Sequence, residues 1–222
     1  IARRKEKLEN LREESRVPLR IFAGDLMRKQ VYKNYHDALR EAGPDVRMLV
    51  NAAGFGKSGI FTDIAEEGKK LQTDMVDLNC RVLTRMTQMT LPWMGRGSRI
   101  LNLASAAAFC PQPGFAVYAA TKAYVLSFSR ALGAELSNCG IYVTAVCPGP
   151  VDTEFFSVSG ELKGAFKKLS LVKAPLVVHK ALKDSRRKRP VSVYGVVMNA
   201  ARAGAKIIPH GFIVKAEELL AR

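Results

Sequence analysis

The 222-residue chain is poor in the residues that staple or metallate a fold, in acid, and in long apolar runs. Its four cysteines, Cys80, Cys110, Cys139 and Cys147, form no C-x-x-C pair and no metal-ligand spacing with the three histidines. Disulfide scaffolds and zinc sites are therefore unsupported, and no metal is expected. No apolar run reaches the roughly 20 residues that cross a bilayer. The nearest, 191–201, is stopped by Arg202, so no transmembrane segment is expected. No secretory leader pattern is read, and a reducing, cytoplasmic setting is the expectation. Neither an internal repeat nor a linker divides the chain, and with 48% hydrophobic residues it reads as a single domain, 1–222, able to bury a full core.

Acid is scarce relative to base: 20 Asp and Glu against 35 Lys and Arg, a formal charge of +15. Such an excess raises the question of a phosphate backbone as partner. The densest clusters are Arg3-Arg4-Lys5 at the start and Arg186-Arg187-Lys188-Arg189 in an expected loop. Neither adjoins a helix-turn-helix, an aromatic stacking platform or a Gly-rich RNA motif, so no nucleic acid is expected as partner.

What is present is alternation. Short β-branched runs at 19–23, 48–50, 99–103, 141–146 and 191–194 read as strands, separated by helical patterns at 5–14, 29–41, 69–91 and 117–136. This order predicts an α/β fold, a parallel sheet with helices packed on it. Residues 151–175 break the rhythm with a Phe-rich excursion carrying Phe155, Phe156, Leu162, Phe166, Leu169 and Leu171, expected as a substrate lid. The tail 200–222 mixes Ile207, Ile208, Phe212 and Ile213 with cations and reads as an ordinary amphipathic helix, with a partner subunit or a membrane surface as the alternative cover.

Tyr118 and Lys122 stand four residues apart in an expected helix, which puts phenol and ammonium on one face. A phenol exchanges protons poorly near neutrality unless a nearby cation favours its anion, and this pair supplies one. In open α/β sheets ligands bind beyond the carboxyl ends of the strands. There the chain places Asn51-Ala-Ala-Gly54, a hydroxyl at Ser105, and Pro148-Gly149 followed by Val151 and Thr153. Taken singly these are ordinary strand exits; their order and spacing require more.

That order, Asn51-Ala-Ala-Gly54, then Asn79, then Ser105 thirteen residues before Tyr118, then Lys122, then Pro148-Gly149 and Thr153, resembles the short-chain dehydrogenase/reductase family from Ile1 to about Phe156. The resemblance implies a Rossmann-like doubly wound parallel sheet covered by helices on both faces. It implies an NADP- or NAD-dependent oxidoreductase interconverting a ketone or aldehyde and an alcohol. Tyr118 would pass the proton, Lys122 would support the phenolate and hold the nicotinamide ribose, Ser105 would hold the substrate oxygen, and Asn79 would anchor a proton-relay water. Asn79 is also compatible with a polar residue that merely satisfies a neighbour. Cofactor contacts would come from Asn51, Ala52, Ala53 and Gly54, and from Pro148, Gly149, Val151 and Thr153. Ala52 departs from the family's usual second Asn, a loss expected to cost stability more than activity. Asp25 matches the acid beside the adenine, and a helix-capping Asp fits equally well.

Arg3 falls where the family reads the adenosine ribose. An acid there would suit NAD, whereas Arg3, assisted by Arg4, implies NADP(H). The family's opening strand and Gly-rich pyrophosphate turn are not found in the 222 residues. An N-terminally incomplete domain is therefore expected, its first strand-helix-strand unit partly absent and the inner strand edges unpaired. The layout implies a small hydrophobic carbonyl or alcohol substrate and a homodimer or homotetramer pairing through helices 69–91 and 117–136. The alternative is a noncatalytic dinucleotide-sensing or interaction protein on the same scaffold.

Overall fold

The computed structural model describes residues 1–155, 159 and 171–221. Strands β1 (Met48–Asn51), β2 (Arg99–Leu103), β3 (Tyr142–Val146), β4 (Val151–Asp152), β5 (Val172–Lys173) and β6 (Val191–Ser192) follow in chain order. β1, β2, β3 and β6 form one parallel sheet in the order β1-β2-β3-β6, and β4 pairs with β5 in a separate parallel ribbon. The helices are α1 (Lys5–Glu14), α2 (Lys29–Ala42), α3 (Phe61–Glu67), α4 (Leu71–Val76), α5 (Leu83–Thr90), α6 (Ala116–Glu135), α7 (Ala174–Arg186), α8 (Val196–Ile207) and α9 (His210–Ala221). A π-helical turn, Asp77–Val82, joins α4 to α5 without a break.

Side chains alternate across a strand, and both faces of the sheet are apolar here. Ile100 and Val143 join Leu49, Met94 and Ile141 in one buried cluster. Leu101 and Val146 pack the other way, against Val177 and Ala181 of α7. Helix α6 lies close to β3 because its inward stripe, Tyr118, Lys122, Val125 and Ser129, recurs every three to four residues and ends in a small hydroxyl. The α/β expectation holds, with helices on both faces of β2 and β3.

Two features differ from expectation or go beyond it. The run 19–23 is not a strand of the sheet: among the described residues it makes a single parallel bridge, Ala2 to Ala23, closed by Ala2 N to Phe22 O (3.2 Å) and Gly24 N to Ala2 O (2.9 Å). An apolar run becomes a strand only where a neighbour offers a row of backbone partners. Instead, Phe22 sets its ring edgewise on Tyr35, 6.1 Å between centroids. At the sheet margin β1 has one strand neighbour, and its outward Val50 stays 55% exposed.

Polar groups tie the core layers together. Asn51 and Asn102 are register partners on β1 and β2. Asn51 Nδ2 donates to Asn102 Oδ1 (2.9 Å) and to Thr87 Oγ1 (3.0 Å). The fully buried Asn102 donates onward to Ser129 Oγ on α6 (2.9 Å). Truncating a buried side chain at the centre of such a network strands its partners and opens a cavity. Asn102→Ala is expected to lower unfolding stability by about 2–3 kcal/mol in a denaturant titration. Asn51→Ala, at the half-buried margin, is expected to cost less.

No helix among the described residues is long and apolar enough to cross a membrane. Nor, among the described residues, is any cluster of His, Cys, Asp and Glu arranged to hold a metal ion. Of the expected lid, residues 156–158 and 160–170, including Phe156, Leu162, Phe166 and Leu169, lie outside the described residues.

Candidate active site

Helix α6 begins just after Phe115 and presents Tyr118 and Lys122 on its buried face, 7% and 5% exposed. Lys122 Nζ lies 5.6 Å from the Tyr118 ring centroid and donates to Leu103 O at the end of β2 (2.7 Å). Beyond β2 the chain turns through a short 3₁₀ segment, Ala106–Ala108, capped by Ser105, whose Oγ accepts from Ala107 N at 3.2 Å. Ala106 N donates to Pro148 O (2.8 Å), which ties the exits of β2 and β3 to each other. The Tyr118 ring is held between Phe115 and Phe155, with centroid separations of 4.4 and 5.6 Å.

Asn79 sits in the π-helical turn, a widening that often marks functional positions in helices. It is 1% exposed and fully engaged. Its Oδ1 accepts from Phe55 N (3.1 Å), and its Nδ2 donates to Phe55 O (2.9 Å) and Thr121 Oγ1 (3.0 Å). The side chain thus pins the loop after β1 to the turn of α6 that carries Lys122. A Cβ added to Gly54 would stand 2.8 Å from Asn79 Oδ1 and 3.5 Å from Lys122 Nζ, so the backbone approach here requires glycine.

Burial governs the electrostatics. It pushes the Tyr118 phenol up to about 12, while the nearby Ser105 hydroxyl favours the anion and pulls the other way. Burial likewise brings the Lys122 ammonium down to about 8, with Cys80 and Cys147 opposing. Cys80 and Cys147 are themselves pushed up by burial, to about 11 and about 12, with Lys122 opposing in both. Near neutral pH the arrangement therefore holds a protonated phenol beside a cation, as a proton donor to a carbonyl oxygen requires.

Ser105, Tyr118 and Lys122 open on one cavity of about 590 Å³ at the carboxyl end of the sheet. Ala52 and Gly54 line the same cavity, as do Pro148, Gly149, Val151 and Thr153. Ala53 is exposed in the loop between Ala52 and Gly54, and Asn51 turns into the core network instead. Arg3, Arg4 and Asp25 are not in the cavity wall. Arg3 is exposed, Arg4 Nη1 pairs with Glu154 (2.7 Å), and Lys7 pairs with the same carboxylate (2.6 Å). Asp25 Oδ1 accepts from Met27 N (2.9 Å), closing a local turn; the N-cap of α2 is Arg28, so Asp25 does not cap that helix.

Several walls carry no signal in the sequence. Phe109, Gln112, Phe115 and Val178 line the cavity, and so do Met198 and Ala201 of α8. Thr121, the partner of Asn79, has one cue: it directly precedes Lys122 on the buried side of α6.

Residues 1–162 match the family profile described as short chain dehydrogenase. The chain is 38% identical over 161 residues to sulfoacetaldehyde reductase of Chromohalobacter salexigens, covering 69% of this chain and 62% of that one. It is 33% identical over 168 residues to very-long-chain 3-oxoacyl-CoA reductase of Anas platyrhynchos, covering 72% and 53%. The chain thus spans between 53% and 62% of the length of these two curated relatives. Among solved structures, a short-chain dehydrogenase from Sphingobium yanoikuyae in complex with NADPH matches with a TM-score of 0.71 at 28% identity, over 94% of this chain and 85% of that one. With a profile that runs through every motif from Asn51 to Thr153 and relatives that match over most of its length, this chain belongs to the short chain dehydrogenase family.

Proposed function

We propose that the protein is an NADP-dependent oxidoreductase that interconverts a ketone or aldehyde and an alcohol on a hydrophobic substrate. The observation that carries this reading is the convergence of Ser105, Tyr118 and Lys122 on one cavity with apolar walls. Tyr118 gives its proton to the substrate oxygen, Ser105 steadies the charge developing there, and Lys122 offsets the phenolate left behind. Asn79 positions the backbone at Phe55 and the turn carrying Lys122. A bound nicotinamide would supply or accept the hydride. The residues present fit such a group: Gly54 leaves a bare backbone next to Lys122, and the small residues Ala52 and Gly149 line the same wall. Lys122, Gly54, Pro148, Gly149, Val151 and Thr153 would hold it.

Apolar substrate is favoured by Phe109, Phe115, Phe155 and Met198 around the cavity. NADP is favoured by Arg3, which is exposed beside Arg4 and Lys5, whereas Arg4 is drawn to Glu154. Assembly as a homodimer or homotetramer through α4, α5 and α6 belongs to the same reading.

The test is turnover of a panel of hydrophobic ketones and aldehydes with NADPH and with NADH, followed by nicotinamide absorbance. NADPH is expected to be preferred. Arg3→Glu is expected to cut kcat/KM for NADPH by about 10- to 100-fold, as one charge-assisted phosphate contact is lost, with little change for NADH. Preference unchanged by Arg3→Glu would remove Arg3 from the cofactor site. No turnover with either nucleotide and no change in NADPH fluorescence would favour a noncatalytic scaffold.

A further inference from the structure

Of all large apolar side chains among the described residues, the three most exposed are Val196 (85%), Ile207 (82%) and Phe212 (70%). All three lie on the α8 and α9 segment. On α8, residues 196, 200, 203 and 207 recur at helical spacing along one stripe, and Val196, Ala200, Ala203 and Ile207 are all exposed. The opposite side of the same helix is buried at Met198, which with Ala201 lines the cavity. A helix of a water-facing domain normally turns one apolar stripe to the core and polar residues outward. This one is apolar on both sides.

Charge selects among the surfaces that would cover the outer stripe. On α8 both formal charges, Arg202 and Lys206, are cations; α9 adds Lys215, followed by Glu217 and Glu218. Lys206 and Lys215 are exposed, and Arg202 is half-buried. A second copy of the chain would bring these cations against their own kind in a molecule already carrying +15. An anionic surface with an apolar interior answers both features: acyl chains take the stripe, and headgroups take the lysines.

We propose that the outer face of α8, with Phe212 on α9, docks on the surface of an anionic lipid bilayer, lying in the interface without crossing it. Because α8 also walls the cavity, docking sets that cavity about one helix diameter, ~10 Å, from the lipid. The surface stands on exposure and charge alone and does not depend on the activity proposed above.

Co-sedimentation of the full chain with vesicles tests it. One set contains equal parts phosphatidylcholine and phosphatidylglycerol, the other phosphatidylcholine alone. Strong binding to the first set, weakened by salt, and weak binding to the second are expected. Ile207→Ser with Phe212→Ser is expected to lower partitioning about tenfold or more, with the thermal midpoint kept. Should that double variant misfold, Lys206→Glu with Lys215→Glu, at exposed positions, is expected to abolish the preference for the anionic set. Absence of binding to either set overturns the proposal. So does binding indifferent to both double variants, the behaviour of any basic protein, and so does self-association through the stripe, seen by light scattering, without vesicle binding.

Discussion

Tyr118→Phe is expected to lower kcat for carbonyl reduction by about 10²- to 10⁴-fold, the range that a positioned general acid contributes. The substitution removes one atom. Phe115 and Phe155, which hold the ring at 4.4 and 5.6 Å, retain their partner, and the Lys122 contact to Leu103 O does not involve the hydroxyl. Folding stability and dinucleotide affinity should therefore stay close to wild type. A fall in kcat with unchanged nucleotide affinity is the signature of a group that acts in the transition state and not in binding. Turnover retained within about tenfold would move the proton donor elsewhere, and Ser105 would be the next group to examine.

The elements legible in the sequence are those with a local signature. Helix α1 and strand β2 fall at the expected bounds, 5–14 and 99–103, because helical and strand periodicities are unbroken there. Run 19–23 carries the same local signature and is not a strand, since pairing is decided by a neighbour that the run itself does not encode. Asn102 is illegible for a related reason. In sequence it is a polar residue near a strand exit, and only the register of β1 on β2 and the approach of α6 turn it into the hub of a buried network.

The cavity shows the same division. Tyr118, Lys122 and Ser105 are close in sequence, so their spacing alone marks them. Met198 and Ala201 reach the cavity from a helix some 80 residues further on, after β6 has carried the chain back across the sheet. Arg4 and Asp25 resemble cofactor contacts in the sequence, and the structure adds what the sequence does not carry, a local partner for each: Glu154 for Arg4 and the amide of Met27 for Asp25. The loop after β1 adds a subtler case. The missing second Asn of the Asn51-Ala-Ala-Gly54 run points to a weaker sheet centre, yet Asn51 already ties β1 to Asn102 and Thr87.

The pH dependence of reduction should belong to Lys122. Burial brings its ammonium down to about 8, whereas Tyr118, Cys80 and Cys147 are all displaced upward to about 11 or 12. Among the described residues no histidine lines the cavity, and Lys122 is the cation that lines it beside Tyr118. The sign follows from its protonation state. Below about pH 8 the ammonium offsets the phenolate formed when Tyr118 gives up its proton; above it the neutral amine does not. Reduction is therefore expected to fall as pH rises through about 8, with no matching rise from Tyr118 in that range. At the 5.6 Å between Nζ and the ring, a partly screened charge pair is worth about 3 kcal/mol. Lys122→Met, which keeps the bulk and loses the charge, should then cost about 10²-fold in kcat/KM and flatten the alkaline limb. Retention of the limb in the Met variant would assign it to another group and remove Lys122 from phenolate support. Loss of the limb without loss of rate would separate the two roles, leaving the lysine as a structural tie to Leu103 whose titration merely loosens the end of β2.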